Sequence, residues 1–225
     1  MRIIISLFVA ALAGWAQSFG FGDIRQWFGR GAKQVGVVVQ WSRGDRPQAY
    51  AWGFRFDGTL TGDVVWDAVL RDPRLYAYQQ GSGTGRVVYG IGYDFDRDRI
   101  TGFRTGNDID DAVANDPDDR WKVGWRRNGY WSLWGARGSR AEGFAFSQTG
   151  IGGVQVQDQT WILWAFAPSE NGWSTSPPDQ IVAAPLLADF GRAGAPAPVP
   201  EPATIVAMGL GVVAFAGRRL RIANA

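Results

Sequence analysis

Between about Gln17 and Arg192, apolar and polar residues follow mainly the two-residue period of β-strands. Val35-Gly36-Val37-Val38-Val39-Gln40-Trp41 is a β-branched run closed by the turn cluster SRGDRP. Tyr50-Ala51-Trp52-Gly53-Phe54-Arg55-Phe56 alternates aromatics and stops at Asp57-Gly58, so the two runs predict a hairpin. Residues 61–70 change period. Thr61 is placed to cap a helix, Asp63 suits its first turn, and Val65, Trp66, Val69 and Leu70 form one apolar face. Asp72-Pro73 ends it. Strand patterns resume at Leu75–Tyr78 and Arg86–Tyr93, joined by GSGTG. A phosphate loop needs a helix N-terminus after its glycines, and here a strand pattern follows.

The strongest local turn signal is Asn128-Gly129, set between Trp121–Arg127 and Tyr130–Trp134. A two-residue turn pairs Arg127 with Tyr130, Trp125 with Ser132 and Val123 with Trp134. Trp121, Val123, Trp125 and Trp134 then share one face, with Trp131 and Leu133 on the other. Two apolar faces imply either a central strand pair or one face left open for binding. Further strand patterns lie at Gly143–Phe146 and Thr160–Phe166. A strand pair, one helix and more strands predict a β-rich α+β domain with a mainly antiparallel sheet and one short helix. The alternative is an all-β sandwich.

The two ends of the chain are of another kind. Arg2 precedes the apolar run Ile3–Ala13, with small residues at Gly14 and Ala16, the order of a signal peptide over residues 1–16. That leaves a single exported domain at 17–192. Residues 193–202 are a Pro/Ala linker unsuited to helix or sheet. Residues 203–217 carry no charge and predict a short transmembrane helix, roughly 22 Å long against a hydrocarbon core of roughly 30 Å. The basic tail 218–225 stays cytoplasmic by the positive-inside rule, which places the domain between the two ends outside.

Val199-Pro200-Glu201-Pro202, the short apolar helix and Arg218-Arg219-Leu220-Arg221 together resemble a PEP-CTERM sorting signal, a tail found on exported proteins of many Gram-negative, matrix-forming bacteria. The resemblance implies transient anchoring in the inner membrane and processing by an exosortase, a membrane protease-transpeptidase. It implies nothing about the fold upstream.

Processing also alters the charge. The chain has 23 basic and 21 acidic residues, a net +2. Losing Arg2, Arg218, Arg219 and Arg221 leaves 19 against 21, or −2. A nucleic-acid partner is therefore not implied.

Composition removes several chemistries. With no histidine and no cysteine, the chain has no disulfide, thiolate nucleophile, histidine acid–base pair or Cys/His zinc site. A hard-cation site is still open to it. Asp94, Asp96 and Asp98 have the Asp-x-Asp-x-Asp spacing that resembles the first half of a calcium loop. Arg97 and Arg99 replace the usual small turn residues, and no glutamate closes the loop. A second acidic stretch, NDIDDAVANDPDD, offers Asp108, Asp110, Asp111, Asp116, Asp118 and Asp119 to complete a site from across the fold. The competing reading is a solvated polar loop whose arginines neutralise its carboxylates.

Trp125, Trp131, Trp164 and Trp173 are candidates for stacking on the sugar faces of an extracellular polysaccharide. The expectation is an envelope or extracellular-matrix protein, at the cell surface or in a biofilm, that binds or builds and is not an enzyme. The alternative is a secreted polysaccharide-acting hydrolase, which needs only two carboxylates. Against it, glutamate is scarce, at Glu142, Glu170 and Glu201 only.

Overall fold

The computed structural model of the chain describes residues 19–186. The signal segment, linker, apolar tail segment and basic end named above lie outside the described residues. In chain order the first elements are β1 (Trp27–Gly29), β2 (Lys33–Gln40), β3 (Ala49–Phe56), β4 (Leu60–Thr61) and α1 (Gly62–Val69). There follow β5 (Leu75–Gln80), β6 (Val87–Tyr93), β7 (Phe103–Arg104), β8 (Val113–Ala114) and β9 (Arg120–Val123). The last are β10 (Gly129–Arg137), β11 (Ala145–Phe146), β12 (Gln155–Val156), β13 (Thr160–Pro168) and β14 (Ile181–Ala183).

The main sheet runs β1-β3-β2-β13-β10-β11, with β14 also on β3. The expected β2–β3 hairpin is present and antiparallel. Most pairs are antiparallel, but β1 and β14 add to β3, and β13 to β2, in parallel. Alternate residues of these strands serve two separate cores. Val35, Val37 and Val39, with Trp52, Phe54, Ile162 and Trp164, face one side. Val38, Ala49, Ala51, Trp161 and Leu163 face the other. With both faces covered, β13 is buried along nearly its whole length. Such a strand reads as a continuous apolar run rather than an alternating one.

The first face is closed by α1 and by a second sheet, β5-β6-β9. The helix forms as its pattern predicts, burying Val65, Trp66 and Val69. Thr61 takes the N-cap position, yet its hydroxyl donates to the Asp63 carboxylate and accepts no backbone amide. Indole N–H groups join the layers: Trp41 donates to the Ile91 carbonyl and Trp131 to the Lys122 carbonyl. A ring that buries apolar area still leaves one polar atom needing a partner, so each bond also fixes the layer spacing. The other face is covered by residues 19–27, with Phe21 stacked on Trp161 at 4.2 Å between centroids.

One turn differs from expectation. Asn128-Gly129 does not close a two-residue hairpin. β9 pairs with β6, and β10 pairs with β13 from Gly129↔Pro168 to Arg137↔Thr160. Asn128 keeps a negative φ, whereas a type I′ turn needs positive φ at both central residues. The chain instead bends around a carboxylate: Asp110 accepts the N–H groups of Trp125, Arg126 and Arg127 at 2.7–3.3 Å, and the Asn128 side-chain amide donates to the Asp110 carbonyl. Three backbone donors on one anion outweigh the turn preference. The Asn-Gly step is a corner between two sheets, and β10 is a central strand.

Candidate functional site

Residues 94–119 form one excursion between β6 and β9. Tyr93 pairs with Arg120, so Asp94, just after one strand, lies across from Asp119, just before the other. Halfway along, the β7–β8 ribbon closes the excursion with Phe103↔Ala114. The Asn115 N–H donates to the Gly102 carbonyl, and the Asn115 side-chain amide donates to the Thr101 carbonyl. The two acidic stretches are thereby laid side by side, and their carboxylates meet at the neck.

There the carboxylates sort into two triads that share Asp96. One holds Asp94, Asp96 and Asp119, the other Asp96, Asp98 and Asp116, each offering ligand oxygens within 4.8 Å of one another. Asp94 and Asp98 fall in different triads, so the Asp-x-Asp-x-Asp spacing alone does not gather its three residues on one point. The second stretch supplies the third member each time. The sequence offered Asp116 and Asp119 among six aspartates without separating them. Their usable signal was position, at the return into a strand that pairs with the one Asp94 leaves.

Most carboxylate oxygens here have backbone partners. Asp94 accepts from the Arg97 N–H at 2.6 Å and the Arg99 N–H at 3.2 Å. These bonds hold both arginines at positive φ, 74° and 71°, a conformation usually left to glycine. Asp96 accepts from the Asp98 N–H, Asp98 from the Ile100 N–H, and Asp116 Oδ1 from the Asp118 N–H. Asp119 accepts from the Phe95 N–H and from the Tyr76 hydroxyl at 2.7 Å. One oxygen differs. Asp116 Oδ2 is buried, on a residue only 8% exposed, and has no hydrogen-bond partner.

The electrostatics reflect the crowding. Burial pushes the Asp119 carboxyl up to about 6, the neighbouring Asp116 and Asp94 charges add to the rise, and the Tyr76 and Phe95 donors oppose it. The same burial and carboxylates hold Tyr76 well above its usual range. Arg120, which follows Asp119 in the chain, is engaged outside the two triads. The Arg120 guanidinium lies over the Phe95 and Tyr50 rings and donates to the Pro47 and Arg46 carbonyls.

The tryptophan candidates divide. Trp131 and Trp164 are 6% and 4% exposed, core residues packed on Phe166 and Trp66, and neither has a face left for a sugar. Trp125 and Trp173 are 41% and 40% exposed. Trp125 meets Tyr89 edge-on, and Trp173 stacks on Tyr130 at 6.2 Å. Each ring is thus contacted by one aromatic neighbour and partly open to solvent. Alternation could not single out Trp131 and Trp164 as core, because β10 and β13 are apolar on both faces, whereas Trp125 and Trp173 lie outside the strands.

Among the described residues no helix is long and apolar enough to cross a membrane. Residues 198–221 match the family model of the PEP-CTERM protein-sorting motif. No curated protein and no solved structure matches the chain. The β-rich body thus has no family assignment, and the chain carries at its C-terminus a membrane-anchored PEP-CTERM signal that marks it for export and for processing by exosortase.

Proposed function

We propose that this chain is an envelope or extracellular-matrix protein of a Gram-negative bacterium, delivered by exosortase, whose body binds or builds without catalysing a reaction. The sorting motif at 198–221 carries the reading, because it fixes the route the body takes. The body is suited to the end of that route. Its two larger sheets are joined through buried tryptophans and hold no disulfide. It presents two partly exposed aromatic rings, Trp125 and Trp173, as contacts for an extracellular polysaccharide.

Hydrolysis fits the two glutamates of the body less well. Glu142 and Glu170 are exposed and line different clefts, whereas a glycosidase sets two carboxyl groups about 5 to 10 Å apart across one site. The test is to incubate the full chain with extracellular polysaccharides, scoring retention of the protein and release of new reducing ends together. The expected outcome is no release. Where the protein is retained on a glycan, Trp125→Ala and Trp173→Ala should weaken that retention. Steady release of reducing ends would overturn the reading in favour of a hydrolase.

A further inference from the structure

We propose that Asp96, Asp98 and Asp116 form a calcium site that clamps the two acidic stretches together at the neck of the 94–119 excursion. The cluster alone would not justify this, since exposed acidic groups are common without an ion. The second observation is Asp116 Oδ2. An ionised oxygen withdrawn from water and left without a donor is costly, and native structures rarely tolerate one. This one belongs to a carboxylate whose ligand atom lies within 4.8 Å of those of Asp96 and Asp98. A bound cation would provide the missing partner and remove the repulsion of three like charges at once.

The ion's chemistry follows from the donors. All three are carboxylates, which select a hard cation. Asp96 and Asp98 are exposed, so water can complete the shell. Calcium tolerates six to eight ligands at flexible angles, while magnesium demands a near-ideal octahedron. The loop is also wound for the task beforehand. Arg99 occupies the position that glycine fills in the familiar calcium loop and adopts positive φ there, held by Asp94. Asp94 thus acts as the organiser of the loop rather than as a ligand, and Asp116 stands in for the absent closing glutamate. This inference concerns the body alone and does not depend on the route of export.

The experiment uses the full chain in detergent, stripped with EDTA and then titrated with calcium chloride up to about 10 mM, the range of weak extracellular sites. Thermal melting reports stabilisation. Terbium luminescence excited through tryptophan reports occupancy, since Trp41 and Trp121 line the cleft beside Asp119. Calcium should raise the melting temperature and displace terbium, and equal magnesium should do neither. Asp116→Asn should weaken binding by at least about tenfold, while Asp118→Asn, at an exposed neighbour outside both triads, should leave it unchanged. In EDTA, Asp116→Asn should melt no lower than the parent, because it removes a buried unpartnered charge. That sign separates a ligand from a merely structural residue, whose loss would destabilise the fold with or without calcium. No calcium-dependent shift, or binding that survives Asp116→Asn in a folded variant, would overturn the proposal.

Discussion

At the scale of single residues, two of the glycines are explained by tryptophan: flat rings lie over them from neighbouring strands. Gly36 and Gly53 are cross-strand partners, with Trp161 over the first and Trp27 over the second. A Cβ on Gly36 would sit 2.1 Å from the Trp161 ring, and one on Gly53 would sit 2.4 Å from the Trp27 ring. The Trp161 ring has no room to retreat. Trp161 is fully buried and stacked on Phe21, and the Arg55 guanidinium covers Trp27. Gly36→Ala should therefore destabilise the fold by about 1–3 kcal/mol through overpacking, although alanine is otherwise the better strand residue. Urea unfolding followed by tryptophan fluorescence would measure this, and a neutral or stabilising effect would show that Trp161 can move aside.

At the scale of elements, the sequence located strands and helix far better than it paired them. The β2–β3 hairpin and α1 were legible because each has a local signal: a turn cluster after a β-branched run, and a cap before an apolar face. The β9–β10 hairpin was misread because its local signal, Asn-Gly, competes with a partner roughly sixteen residues upstream. Asp110 sits in a short turn whose entry Asp108 caps by accepting the Asp110 N–H. Acid spacing of this kind hints at a cap, but nothing local shows which distant amides the next carboxylate will collect. The covering role of residues 19–27 was also hidden, because it depends on the second face of a sheet whose strands look apolar on both sides.

Asp110 also makes that corner sensitive to pH. Burial alone would raise its pKa, but the amides of Trp125, Arg127, Arg126 and Asn128 together hold it below the usual carboxylate range. A folded value below the unfolded one means that stability is complete above about pH 4 and is lost as acid titrates the folded group. Asp110→Asn should thus cost about 3 kcal/mol at neutral pH, with the difference from the parent shrinking below about pH 4. Denaturant melts of both proteins across that window would show it. A difference independent of pH would mean that the carboxylate charge does not hold the corner.

At the scale of the molecule, the first and last strands of the described body meet on one edge. β1 and β14 lie in tandem along β3, and the Gln26 carbonyl and Ala184 N–H bond to Gly53 and Ala51 on either side of Trp52. The departing chain is held there by a buried pair. Arg74, 1% exposed, bonds to Asp72 and donates to the Pro185 carbonyl at 2.5 Å. Severing such a pair leaves an uncompensated charge, so the segment that follows β14 is tied to the core. The sorting motif lies a short stretch beyond, at 198–221, and was legible because it is linear; the grouping of the carboxylates into triads was not, because the members come from two stretches that the fold alone brings together. We propose that the body is carried outward by ends that are then removed. Intact-mass measurement of the protein from its native cells, at its final location, tests it most directly. The account predicts a species lacking residues 1–16 and the basic end 218–225, and a species retaining Arg218 to Ala225 there would contradict it.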